Sequence, residues 1–179
     1  MAETEFGKVA EQRIKTWLDR PELGYDFNRI PDQMSGYYMV SRNICDFDCY
    51  KFPYHYYIES KCTYSDRLDF SRLTDVQRNG LRVKAEIPGV FGLVIVLFAN
   101  YRRAFVFDIT DIVGLDDLTS KTTSLKIKSV NITKLDKWTI PYKEIATVPS
   151  RKSFLDYTGA LEDYLPNKQR WLEFIASET

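Results

Sequence analysis

The run Val90-Phe91-Gly92-Leu93-Val94-Ile95-Val96-Leu97-Phe98-Ala99 admits few structures. It is too short for a membrane-spanning helix, which needs about twenty apolar residues. Its β-branched and aromatic content, bounded by Pro88-Gly89 and Asn100, is that of a strand buried on both faces. Such a strand sits inside a sheet with a layer above and a layer below. Two stretches offer those layers. Residues 4–20 carry Phe6, Val9, Ala10, Ile14, Trp17 and Leu18 at helical spacing, ended by Asp19-Arg20-Pro21. A second helix is expected over residues 73–87, with Val76, Gly80, Val83 and Ile87 on one face, a cap near Ser71 or Thr74, and Pro88-Gly89 as its stop. Arg72, Arg78, Arg82 and Lys84 make its outer face basic. A further strand at 103–109 returns through the Asn100-Tyr101-Arg102 turn.

Upstream of that core, Ser41-Arg42-Asn43-Ile44-Cys45-Asp46-Phe47-Asp48 and Tyr56-Tyr57-Ile58-Glu59-Ser60-Lys61-Cys62 read as the two strands of a hairpin, joined around Lys51-Phe52-Pro53. At the two-residue period of a strand, Glu59 and Lys61 share one face and Ile58, Ser60 and Cys62 the other. The return of the chain brings Asp46 beside Glu59. Two carboxylates so placed repel one another unless a cation lies between them, and oxygen donors suit a hard ion such as Mg²⁺, with Mn²⁺ as a substitute. A lysine next to them can orient water or neutralise a phosphate. The set suits metal-assisted phosphodiester hydrolysis. Without the second acid, Glu and Lys alternating on a strand would be an ordinary solvated face. Asp48 competes with Asp46, being two positions away on the same strand face, and Asp108 and Asp111 are more distant rivals.

Asp46 followed by Glu59-Ser60-Lys61 resembles the signature of the PD-(D/E)xK nuclease superfamily. Within it, Cys45-Asp46-Phe47, the aromatic strand ending in Glu59-Ser60-Lys61, and Asp75-Val76-Gln77 resemble the RecU-like Holliday junction resolvases, especially the phage-encoded ones. The resemblance covers about residues 5–110. It implies an α/β fold of the restriction-endonuclease kind, a central mixed sheet flanked by helices. It implies metal ligation by Asp46, Glu59 and the Ser60 carbonyl, with Lys61 handling the attacking water. It also implies a supporting carboxylate from the first helix, where Glu11 borders the apolar stripe, and a Gln at the flank of the second, Gln77. The implied substrate is four-way or other branched DNA, and two symmetric nicks in a four-way junction imply a homodimer. Another nuclease on the same core, or a catalytically silent DNA-binding module, stays open as an alternative.

The expected organisation is a nuclease core over residues 1–110 and an extension over 111–179 packed on it, touching DNA or a second subunit. Whole-chain charge does not point to nucleic acid, since 25 basic residues balance 25 acidic ones. Residues 121–152 are locally basic, with Lys121, Lys126, Lys128, Lys134, Lys137, Lys143, Arg151 and Lys152 against Asp136 and Glu144. Residues 121–134 read as an arm or a charged edge strand, and 167–176 as an amphipathic helix. Residues 21–36 read as a loop, with Arg29, Ile30 and Met34 as candidates to enter a junction. Cys45, Cys49 and Cys62 lie in the hairpin, and a closed zinc site would need a fourth soft ligand where His55 is the only histidine. A single histidine also removes most Ser-His-Asp and Cys-His schemes. No secretory leader pattern opens the chain, so reduced thiols in a cytoplasm, the bacterial host's if the protein is phage-encoded, are expected.

Overall fold

The computed structural model describes residues 3–31, 43–112, 129–137 and 143–145. Its helices are α1 (Glu3–Leu18) and α2 (Asp75–Ala85). Its strands are β1 (Asp26–Arg29), β2 (Phe47–Lys51), β3 (Tyr54–Thr63), β4 (Arg67–Asp69), β5 (Val90–Phe98), β6 (Arg103–Asp108), β7 (Ser129–Asn131) and β8 (Lys143–Ile145). Six of these form one sheet in the order β1-β2-β3-β5-β6-β8, while β4 and β7 form a separate two-stranded ladder. Only the β3·β5 pair is parallel; the other neighbours are antiparallel. The parallel pair requires a crossover, and α2 lies within it. This is the mixed α/β sheet with flanking helices that the sequence predicts.

The strand β5 divides the core in two. Leu93, Ile95 and Leu97 pack with Ala10, Ile14, Trp17 and Leu18 of α1 and with Phe47, Ile58 and Cys62. On the other face, Val94, Val96 and Phe98 pack with Leu81 of α2 and with Leu68, Leu73, Phe105 and Phe107. The β2–β3 hairpin and the β5–β6 return fall where the sequence puts them, the second through a 3-10 turn over Ala99–Tyr101 closed by Arg102 at φ 50°. No described helix is long and apolar enough to cross a membrane.

Three features differ from the sequence reading. The stretch 21–36, expected to be a loop, contains a 3-10 turn over Pro21–Leu23 and the strand β1, whose mostly exposed positions hide any alternation. The polar loop after the hairpin contains β4, paired with β7. The helix α2 is turned away from its expected face: Val76, Val83 and Ile87 are exposed, and Leu81 is its fully buried residue. Val9 of α1 is likewise exposed. The arm at 121–128, the expected helix at 167–176 and Met34 lie outside the described residues.

The rotation of α2 follows from how closely it approaches the sheet. A Cβ on Gly92 would stand 2.7 Å from the Leu81 carbonyl oxygen and 2.9 Å from the Ile109 side chain. A Cβ on Gly80 would collide with the Ile44 side chain. These two glycines let the helix backbone settle onto β5 and onto the chain entering β2. With Gly80 and Leu81 facing inward, Gln77 one turn earlier and Lys84 one turn later are inward as well, since they lie three to four positions away.

Gly92→Ala is expected to destabilise the protein by about 1–3 kcal/mol, because backbone rather than a flexible side-chain end must yield. Denaturant unfolding measures this, and an unchanged midpoint would contradict the close approach.

Candidate functional site

The site begins where the sheet loses a strand. Pairing between β2 and β3 ends at Phe47↔Ile58, yet β3 continues to Thr63 alongside β5. The Asp46 N–H still donates to the Ile58 carbonyl at 3.0 Å. One step further, the Ser60 N–H donates to Asp46 Oδ2 at 2.7 Å. A carboxylate thus stands where the next ladder acceptor would be. Because N–H and C=O of one strand residue point to the same edge, the Ser60 carbonyl opens on the side where Asp46 lies. Asp46 is fixed from its other side too, since its carbonyl accepts from Ile30 N–H at 2.8 Å.

The next residue inward is Glu59, 2% exposed, on the face of β3 that looks toward α2. Its Oε1 accepts from Lys61 Nζ and from Gln77 Nε2, each at 2.6 Å. Its Oε2 is buried without a hydrogen-bond partner among the described residues. Leaving a buried acceptor unpaired costs about 1–3 kcal/mol, so the arrangement persists against a penalty. Burial first, then the charge of Asp46, push the Glu59 carboxyl up to about 8 against the opposing pull of Lys61, with the charge of Glu11 adding a smaller upward push.

Of the residues singled out in the sequence, Asp46, Glu59, Lys61 and Gln77 are brought together at the end of the β2 pairing. Glu11 is differently engaged. It belongs to α1, the helix packed on the opposite face of the sheet from Gln77, and its carboxylate is held by the Arg29 guanidinium through Nε and Nη2. Arg29, expected as a loop residue that enters DNA, is a β1 residue paired with Glu11. Asp48 points to a separate partner, His55 Nε2. Asp108 is fully buried, and its Oδ1 accepts from the Thr110 N–H and hydroxyl. The β5–β6 register puts Asp108 opposite Leu93, on the α1 face of the sheet. Arg78 and Lys84, expected on a basic outer face, are partly engaged: Arg78 bonds Asp75 at 2.6 Å, and Lys84 Nζ lies 5.1 Å from the Tyr57 ring centroid.

The donors available for a cation are all oxygen: the Asp46 and Glu59 carboxylates and the Ser60 carbonyl. No group of three or more His, Cys, Asp and Glu side chains is gathered among the described residues. An ion that keeps most of its water shell needs only one or two carboxylates, as Mg²⁺ does. Burial first, then the charges of Glu59, Asp46 and Asp48, push the nearby Cys45 thiol up to about 12, and its Sγ donates to the Phe47 carbonyl at 3.4 Å. Cys45, Cys49 and Cys62 are buried and form no disulfide among the described residues.

No family model and no curated protein matches the chain. Among solved structures, it is similar to Hjc, a Holliday junction resolvase from the archaeal hyperthermophile Archaeoglobus fulgidus. The TM-score is 0.44 at 19% identity, over 59% of this chain and 78% of that one.

Of the two caps that the sequence offers for α2, Ser71 and Thr74, the structure uses Thr74, whose link to Gln77 the sequence reading left undrawn. Thr74-Asp75-Val76-Gln77 has the capping-box spacing, which was the available signal.

With its carboxyl pKa raised in the folded state, Glu59 binds a proton that the unfolded chain releases near the ordinary value of 4.5. Its contribution to stability is complete below that pH and is lost as pH rises through about 8. Denaturant midpoints of the metal-free protein should therefore fall between about pH 5 and 8, and Glu59→Gln should flatten the slope. A wild-type profile no steeper than that of the variant would contradict the buried, orphaned carboxyl.

Proposed function

We propose that this chain is a divalent-metal-dependent endonuclease of the PD-(D/E)xK kind, acting on four-way or other branched DNA in the manner of a RecU-like resolvase. The observation that carries the reading is the buried Glu59 carboxylate, with one oxygen held by Lys61 and Gln77 and the other without a hydrogen-bond partner among the described residues, beside Asp46. An unpaired buried acceptor with a neighbouring like charge is relieved by a cation. Asp46, Glu59 and the Ser60 carbonyl would hold Mg²⁺, or Mn²⁺ in its place. When bound, such an ion supplies positive charge to a phosphoryl oxygen and eases proton loss from the attacking water.

The chain's own groups do the rest. Lys61 is tethered to Glu59 and lies 3.4 Å from Gln77 Oε1, so its ammonium stays at the edge of the carboxylate pair. There it steadies the charge that builds on a scissile phosphate and orients water toward phosphorus. Gln77 holds Glu59 in one rotamer. Glu11 serves as an outer carboxylate whose charge is felt at Glu59 and whose side chain is held by Arg29.

The choice of branched DNA rests on the resemblance of Asp46, Glu59-Ser60-Lys61 and Gln77 to the resolvase motifs. Cutting a four-way junction symmetrically calls for a two-fold dimer. The basic stretch within 111–179 serves in this reading as an extension that contacts DNA or the second subunit.

Asp46→Asn and Glu59→Gln are expected to fold and still bind four-way junctions. Removing a group worth several kcal/mol in the transition state lowers Mg²⁺-dependent nicking by about 10²–10⁴-fold. Nicking of labelled junctions and linear duplexes with Mg²⁺ or Mn²⁺ tests this. Equal cutting of linear duplex leaves a nuclease but removes the resolvase assignment. Junction binding with no cutting of any DNA by the wild type leaves a binding module.

A further inference from the structure

We infer that Thr74 is a positioning residue for the proposed metal centre: the helix cap it forms fixes the Gln77 amide, and the amide decides which oxygen of Glu59 is left open. This rests on the nuclease reading above and extends it to a residue outside the carboxylate cluster.

Gln77 holds two positions at once. As the third residue of α2 it completes a capping box: its N–H donates to Thr74 Oγ1 at 3.3 Å, and its Oε1 accepts from the Thr74 N–H at 3.0 Å. The same side chain reaches the site. Its Oε1 also lies 3.4 Å from Lys61 Nζ, and its Nε2 donates to Glu59 Oε1 at 2.6 Å.

The orientation of an amide follows from its partners. A backbone N–H and an ammonium only donate, so the group facing Thr74 and Lys61 is the oxygen. The nitrogen then has one direction left, toward Glu59. A flipped amide would set its NH₂ against two donors and its oxygen against a carboxylate. With Gln77 and Lys61 both donating to Glu59 Oε1, the free lone pairs of this buried group belong to Oε2. Thr74, itself exposed, thereby governs a carboxylate that it does not touch.

Backbone geometry makes the claim testable at one position. Thr74 has φ −66°, the value a proline ring imposes, and Leu73 before it is extended at φ −86° and ψ 118°, as a residue preceding proline prefers. Thr74→Ser keeps both hydrogen bonds, Thr74→Ala removes the hydroxyl acceptor, and Thr74→Pro removes the N–H donor as well. The Thr74 carbonyl, which accepts from the Arg78 N–H at 2.9 Å, survives in all three.

Mn²⁺ binding to the metal-free protein by calorimetry, thermal unfolding without metal, and Mg²⁺-dependent nicking would be measured on the wild type and all three variants. Thr74→Ser should match the wild type. Thr74→Ala should weaken Mn²⁺ binding and Thr74→Pro should weaken it further, by about 10–100-fold, as loss of a supporting hydrogen bond around a metal typically does. Junction affinity without metal should not move. If Thr74→Ala and Thr74→Pro lower the unfolding temperature while Mn²⁺ affinity stays at the wild-type value, Thr74 is a helix cap and the positioning role is overturned, with the nuclease reading intact. If the wild type neither binds Mn²⁺ nor nicks DNA, the nuclease reading fails and this inference with it.

Discussion

A single hydrogen bond, from the Ser60 N–H to the Asp46 carboxylate, sets where the site forms. The hairpin pairing of β3 ends at Phe47↔Ile58, two positions short of Ser60, so no β2 backbone acceptor meets that donor. A buried amide without an acceptor is costly, so an acidic side chain at the bend of the chain takes the position. The cost of ending one strand is thereby turned into placement of a carboxylate at a fixed point beside its neighbour. Everything downstream depends on it: the direction in which the Ser60 carbonyl opens, the charge that Glu59 feels, and the separation of Asp46 from the Asp48–His55 pair on the same strand face.

Around this point the molecule holds a carboxyl group where its ionised form is disfavoured. Glu59 is almost fully enclosed, half satisfied and adjacent to another acid. Such strain survives only where the surroundings are stable enough to impose it, and here they are the doubly covered strand β5 and the tight contact of α2 at Gly80 and Gly92. The Arg29–Glu11 pair sets an opposite charge beside a further carboxylate, whose own push on Glu59 is the smallest of those acting there. Stability in the core and tension at the site are therefore two sides of one arrangement.

Much of this could be read before any coordinates. The apolar run of β5, the hairpin, and the shared face of Glu59 and Lys61 follow from two-residue periodicity, which survives whatever packs on top. The helix α2 could not be read in the same way. Its apolar residues Val76 and Val83, with Ile87 just past its end, suggest a buried stripe, but a short helix laid over a polar site must turn Gln77 and Lys84 inward and leave valines in water. The strands β1 and β4 were hidden for a related reason, being short edge or satellite elements with little apolar patterning.

The sequence by itself determined the chemical kit and the frame that carries it: two acids and a lysine at spacings that a strand pair brings together, around a strand with no polar face. Tertiary structure alone decided how those groups are engaged. Whether a carboxylate accepts from a backbone amide, an arginine or a histidine depends on where neighbouring strands stop and how a helix rotates. Those outcomes are set by packing between residues far apart in the chain, as for Gly92 under Leu81 or Arg29 against Glu11, and no local pattern encodes them.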